Sequence, residues 1–164
     1  MMIRILFVCT GNTCRSPMAE AILKHKFASE VEVKSAGVYA VDGSAASLQA
    51  QEVLSEKGIQ HNHSSTMVTK ELIDWANYIF TMTKGHKNML VSAYPSSIEK
   101  TFTIKEYAED DPDGDVSDPF GGPVSIYRDT YEELEILIDK IMEKRMVRCF
   151  LFTRGKKSGD EGAV

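Results

Sequence analysis

The stretch Ile3-Arg-Ile-Leu-Phe-Val-Cys9-Thr-Gly-Asn-Thr-Cys14-Arg15-Ser16-Pro17-Met-Ala-Glu20 decides the fold. Ile3, Ile5, Leu6, Phe7 and Val8 form a β-rich run suited to a strand buried in a parallel sheet. Pro17 carries the fixed φ favoured at a helix start, so the residues between form a loop joining strand to helix. Successive backbone N–H groups in such a turn, with the unpaired donors of the helix N-terminus, make a concave anion site. Gly11 is expected to supply the positive φ of a tight wrap. Arg15 adds a planar fork matching two phosphate oxygens. The same positive field favours the Cys9 thiolate, because a free cysteine titrates near ~8.5 and helix N-termini and arginines lower that value. The stretch reads as a phosphate cradle with a cysteine nucleophile.

Outward from this loop the chain alternates. Further β-rich runs are expected at Val31–Ser35, Tyr78–Met82 and Thr101–Ile104, separated by helical patterns. The helices are expected over Pro17–Phe27, Ser47–Lys57 with Gly58 as its stop, a segment capped by Thr69, Lys84–Ala93, and Ser125 to about Met146. Strand-helix-strand alternation predicts an α/β fold with a parallel sheet and helices on both faces, and ligands then gather at the carboxyl ends of the strands. Met18, Met82 and Met89 are expected in the core. One domain is expected over residues 1–146, followed by a C-terminal tail, 147–164, partly disordered in its Gly-, Lys- and Ser-rich end. Residues 147–152 either pack or extend the last helix.

Composition narrows the class. The chain has 164 residues, with 24 acidic against 19 basic side chains, and a sequence pI near 5.4. That balance leaves no basic footprint for nucleic acid and no polybasic surface for a membrane. The N-terminus lacks the pattern of a signal peptide and no apolar run approaches the ~20 residues of a membrane span, so a cytoplasmic protein is expected. Three cysteines, two of them in one loop, fit a reducing compartment better than a disulfide framework. Cys14 is either loop packing or the partner of Cys9 in a reversible disulfide, and both readings stand.

Attack by a thiolate on phosphorus needs an acid for the leaving group, then a base for the water that releases the phosphocysteine. Asp118, in Asp118-Pro119-Phe120-Gly121-Gly122-Pro123, is the candidate for both, because a Gly/Pro-shaped loop presents a carboxyl over a distant pocket. Phe120 would wall the pocket beside it. The acids before it, from Glu106 to Asp115, are expected to help Asp118 hold a proton. His61 and His63 suggest a metal pair, but the sequence shows no further His/Cys cluster, so no metal is expected. The run Asp111 to Asp115 reads as a solvated turn rather than a calcium loop, since no glutamate closes it. His86 carries no signal.

Cysteine, five residues, Arg-Ser early and Asp-Pro late together resemble the low-molecular-weight protein tyrosine phosphatases over nearly everything to about Lys144. The resemblance implies four parallel strands flanked by helices, and catalysis with no metal or other cofactor. It implies Cys9 as nucleophile, Arg15 as phosphate clamp and Asp118 as acid and base, with Thr10, Gly11, Thr13 and Cys14 completing the cradle. Asn12, Ser16 and Ser35 then belong to a hydrogen-bond net holding the loop, with Ser16 also on the thiolate, and Glu20 and His63 form a supporting pair.

Thr13 departs from the common pattern. Tyrosine-directed members usually have Ile or Leu there, an apolar wall for an aromatic ring. With Thr13 the chain is most similar to the bacterial protein arginine phosphatases of the same fold, a likeness shared by Lys105-Glu-Tyr and Asp115-Val-Ser-Asp-Pro-Phe-Gly-Gly. Thr13 is expected to orient a guanidinium or the attacking water while the acidic loop attracts the cation. The expected substrates are phosphorylated proteins met by a monomer, with phosphoarginine first and phosphotyrosine as the alternative. Arsenate reduction would need further cysteines to resolve an arsenylated thiol. A non-catalytic phosphate-binding module would leave Arg15 and Asp118 without a purpose.

Overall fold

The computed structural model describes residues 2–155, with side chains to residue 145. Strand β1 (Ile3–Cys9) is buried without a break from Ile5 to Cys9. Its alternating side chains enter two cores: Ile5, Phe7 and Cys9 face one, Leu6 and Val8 the other. A strand covered on both faces needs neighbours on both edges. β2 (Val31–Gly37) pairs with one edge and β3 (Tyr78–Thr81) with the other, both parallel, and β4 (Thr101–Thr103) lies outside β3. The order is β2-β1-β3-β4, the four-stranded parallel sheet that the resemblance implies.

Helices close both faces. The first core takes Met18 and Ile22 of α1 (Arg15–Phe27), Val53 of α2 (Leu48–Glu56), Tyr107 of α5 (Ile104–Glu109) and Tyr127, Leu134 and Ile138 of α6 (Val124–Gly155). The second takes Ile73 of α3 (Lys70–Trp75) and Leu90 of α4 (Lys84–Ala93). Each fully buried aliphatic or aromatic side chain contributes ~1.5–3 kcal/mol, so the five-residue run of β1 alone is a substantial part of the driving force.

Local chemistry sets the ends. Ser47 accepts from the Ala50 N–H and Thr69 from the Leu72 N–H, as N-caps do, and Gly58 takes φ +73° just past α2. Helix α1 starts two residues before the expected Pro17, which sits in the first turn, where a missing N–H costs nothing. β4 stops at Thr103 because Thr103 and Glu106 form a reciprocal capping box that opens α5, a helix the strand reading ran past. A 3-10 turn over Pro95–Lys100 was likewise not foreseen. Helix α6 continues to Gly155, beyond the expected end near Met146, so the backbone of residues 147–152 extends the helix. Residues 156–164 of the expected tail lie outside the described residues. Met18 and Met82 are fully buried as expected, but Met89 is 37 % exposed, on the outer side of α4.

Candidate active site

The chain leaves β1 for β2 through α1, while β3 lies on the other edge of β1. The carboxyl end of β1 is therefore a point where the winding reverses, and it opens a crevice there. Cys9 is the last residue of β1, and residues 10–14 wrap between it and the first turn of α1.

The residue that turns this wrap is Asn12, at φ +56°, and not Gly11. Asparagine tolerates the left-handed region because its short side chain bonds locally, and here it is fully used. Nδ2 donates to Ser16 Oγ at 2.8 Å and to Ser35 Oγ at 2.9 Å, while Oδ1 accepts from the Thr66 N–H at 2.9 Å. Both amide protons are spent on hydroxyl oxygens, which fixes the direction of the rest of the net. Ser16 turns its proton to Cys9 Sγ at 2.8 Å, and Ser35 donates to Glu20 Oε2 at 2.8 Å. The Asn12 carbonyl accepts from His63 Nε2 at 2.6 Å. Gly37, opposite Cys9 in the sheet, lets the loop lie flat on β2: a Cβ there would come 2.9 Å from the Asn12 nitrogen and run into the Thr10 carbonyl oxygen.

Two influences compete at Cys9. Burial is the larger and pushes the thiol above its ordinary value; the Ser16 hydroxyl, the Ser16 and Asn12 amides and Arg15 pull it down. The positive field alone led to an expectation of net depression, and desolvation of the buried sulfur reverses it. The Ser16 proton nevertheless fits the thiolate, since it has no other acceptor along this net.

Arg15 is 4 % exposed. Nη1 donates to the Val116 carbonyl at 2.8 Å and Nη2 to Thr10 Oγ1 at 3.4 Å, whereas Nε has no partner among the described residues. Nη2 also lies 3.7 Å from Asp118 Oδ2, a carboxylate half exposed. Asp118 Oδ1 accepts from the Phe120 N–H at 3.0 Å, the Asx turn that the Asp-Pro-Phe-Gly sequence favours. The Val116 N–H bonds the Met82 carbonyl beyond β3, which anchors this loop to the sheet. The preceding acids are engaged elsewhere: Asp113 and Asp115 hold Lys84, Glu106 holds Lys87, Glu109 holds Lys140, and Asp110 holds Lys144. Asp118 thus faces an arginine and not a bank of free carboxylates.

A cavity of about 220 Å³ is lined by Cys9, Thr10, Gly11, Thr13, Cys14, Arg15, Asp118 and Phe120. Phe120 is 77 % exposed and forms part of its rim. Asn12, Ser16 and Ser35 lie behind the loop, and Glu20 and His63 behind them. Cys14 Sγ lies 3.2 Å from the Tyr127 hydroxyl, whose pKa burial pushes up to about 12. The sequence reading missed this tyrosine. It also missed His86, whose Nε2 lies 2.9 Å from Thr10 Oγ1 and which burial, then Arg15, pushes down to about 4. A neutral histidine and a buried guanidinium thereby share one threonine hydroxyl, 76 residues apart in sequence for the histidine. Glu20 meets His63 as expected, with Oε2 3.5 Å from Nδ1, and also meets His61, whose Nε2 lies 3.2 Å away.

A loop that holds a sulfur nucleophile, a guanidinium with a free N–H and a carboxylate around one small cavity can accept a phosphoryl group and protonate what leaves it. Comparison with known proteins shows the family. Residues 4–148 match the family model for low molecular weight phosphotyrosine protein phosphatase. A protein-arginine-phosphatase of Geobacillus stearothermophilus is 56 % identical over 141 residues, covering 86 % of this chain and 95 % of the relative. The solved structure of the YwlE arginine phosphatase from the same organism superposes with a TM-score of 0.86 at 54 % identity, covering 89 % of this chain and 94 % of that one. A further YwlE structure, a Cys-to-Ser variant with a phosphorylated active-site serine, superposes at 0.83 with 44 % identity over 87 % of this chain and 95 % of that one.

Proposed function

Since the chain belongs to the low molecular weight phosphotyrosine protein phosphatase family, we propose that it hydrolyses phosphoarginine in proteins, with Cys9 as nucleophile. The observation that carries this reading is the convergence of Cys9, Arg15 and Asp118 on one cavity, with Thr13 in its wall. Cys9 Sγ attacks phosphorus from the floor of the loop. Arg15 and the loop amides hold the phosphoryl oxygens, and the negative charge that spreads over them in flight is met by donors already in place. As the P–N bond breaks, Asp118 gives its proton to the departing guanidino nitrogen. The Asp118 carboxylate then takes a proton from water as the water attacks the phosphocysteine, releasing phosphate and restoring the Cys9 thiolate. Ser16 supports the sulfur when it is anionic, at the start and at the end.

The substrate choice rests on Thr13 and on the relatives named as arginine phosphatases. A hydroxyl at this wall suits a planar, donor-rich guanidinium, where an aliphatic side chain would suit an aryl ring. Phosphotyrosine is the second reading, favoured by the exposed Phe120 ring at the rim, which offers an aromatic substrate a stacking surface. Turnover of phosphoarginine and phosphotyrosine peptides at equal concentration, by the unmodified enzyme and by Thr13→Ile, distinguishes them. The expected result is a preference for phosphoarginine that shifts toward phosphotyrosine in the variant. A Thr13→Ile enzyme with unchanged selectivity refutes the role given to Thr13. The acidic composition and the two unpaired loop cysteines are in keeping with a cytoplasmic site of action.

A further inference from the structure

Strand β3 runs beside β1 as far as Thr81, opposite Val8, and the turn after it opens α4 against the catalytic loop. That turn delivers His86. Its Nε2 lies 2.9 Å from Thr10 Oγ1, and the same oxygen lies 3.4 Å from Arg15 Nη2. Thr10 is exposed and lines the cavity, whereas His86 is 6 % exposed and its Nδ1 has no partner among the described residues. The only hydrogen bond of this buried ring among the described residues is thus spent on a hydroxyl of the candidate active site.

The unpartnered Nδ1 decides where the ring carries its proton. A proton on Nδ1 would leave a buried N–H with nothing to accept it, the rarer and costlier kind of orphan; a bare Nδ1 leaves only an unshared lone pair. A second proton would create the same orphan on a cation. It would do so beside Arg15 and in the first turn of α4, where the His86 N–H bonds the capping Thr83 hydroxyl and the helix end disfavours positive charge. Burial and Arg15 oppose that cation, while Asp115 and Asp118 favour it and are outweighed. His86 is therefore a neutral Nε2–H donor. Thr10 Oγ1 accepts from His86 and from Arg15, which occupies both of its lone pairs. The Thr10 proton has no acceptor among the described residues and is left to the cavity.

We propose that His86 is a positioning residue: by occupying the Thr10 oxygen it turns the Thr10 proton toward a phosphoryl oxygen and makes Thr10 a further donor to the transferring group. The inference rests on the reading of this cavity as a phosphoryl-transfer site. Charge spread over the phosphoryl oxygens in flight then meets a side-chain hydroxyl besides Arg15 and the loop amides. The opposite tautomer would take the Thr10 proton for itself and present a lone pair to the same oxygens.

The test compares Thr10→Val, His86→Phe, His86→Gln and the double variant Thr10→Val/His86→Phe, on whichever phosphopeptide the unmodified enzyme hydrolyses faster. Thr10→Val is expected to lower kcat/KM by about 10- to 100-fold, the worth of a hydrogen bond to a charged group. His86→Phe keeps a ring of similar size without the donor, and should lower kcat by about 3- to 10-fold with KM nearly unchanged. His86→Gln places an amide N–H the same number of bonds from the backbone and should recover most of that loss. In the Thr10→Val background His86→Phe should cost nothing more. Inhibition by vanadate, which mimics phosphorus in flight, should weaken in step with kcat, and inhibition by inorganic phosphate less. Long-range nitrogen-15 correlation spectra of the unmodified protein near neutral pH need no variant and should show the His86 proton on Nε2. A proton on Nδ1, an undiminished kcat in His86→Phe, a His86→Gln enzyme no better than His86→Phe, or a full further loss in the double variant overturns this inference while leaving the assigned reaction standing. An unmodified enzyme that hydrolyses neither peptide and is indifferent to vanadate overturns both.

Discussion

Arg15 Nη1 donates to the carbonyl of Val116 across 2.8 Å, so the guanidinium in the cavity wall also holds the loop that carries Asp118. One side chain thus couples the two halves of the site, 101 residues apart in sequence. Lysine keeps the charge but cannot make both contacts from its single nitrogen while also meeting the phosphoryl group. Arg15→Lys is expected to lower kcat/KM by roughly 10²–10³, the effect of losing an aligned charge-stabilising donor, with the fold retained by circular dichroism. A loss below about tenfold would mean that charge alone suffices at this position.

Asn12 sits at φ +56° and uses both amide protons and its amide oxygen within the net. Asn12→Gly and Asn12→Ala both lose those bonds, but only alanine also carries a Cβ into the left-handed region, at a cost of ~1–2 kcal/mol. Denaturant unfolding should rank wild type above Asn12→Gly and Asn12→Gly above Asn12→Ala, the last two separated by about that amount. Equal stability of the two variants would show that the turn relaxes when the net is gone.

His86 is held near 4 in the folded protein, against an ordinary value near ~6.5. As pH falls below ~6.5 the unfolded chain takes up a proton that the folded one refuses. The stability that goes with the neutral ring is complete above that pH and is lost progressively toward pH 4. The wild-type Tm should therefore drop between pH 7 and pH 4.5 by more than that of His86→Gln. Parallel curves for the two proteins would assign the acid sensitivity to other groups.

The strand, the loop and the first helix were legible because each is written locally. Ile5 to Val8 have no polar member, so the strand had to be covered on both faces, and Cys9 had to fall at its open end. Asp118 was legible as a turn former with a carboxyl, and the turn it makes with Phe120 is local as well. The left-handed residue was not. A five-residue loop can be turned by Gly11 or by Asn12, and what selects Asn12 is Ser16 nearby together with Ser35 and Thr66, which arrive from two other parts of the chain. His86 and Gly37 were silent for the same reason, since their meaning is contact with Thr10 and with the backbone of Asn12. Glu20 was legible only in part: the resemblance paired it with His63, and the structure adds His61. It lies on α1 beside the loop, but only the fold sets it between His61 and His63.

The central claim is that the phosphoryl group passes through Cys9 with Asp118 managing the proton. Rapid quenching of the enzyme with a phosphoarginine peptide labelled at phosphorus tests it directly, using the unmodified protein and Asp118→Asn, followed by mapping of the labelled residue. The expected result is label on Cys9 early in turnover, longer-lived in Asp118→Asn, whose hydrolysis slows by ~10²–10⁴, and no label in Cys9→Ala, which has no nucleophilic atom at this position. Steady release of phosphate without label ever reaching Cys9, or turnover that survives in Cys9→Ala, would contradict the account.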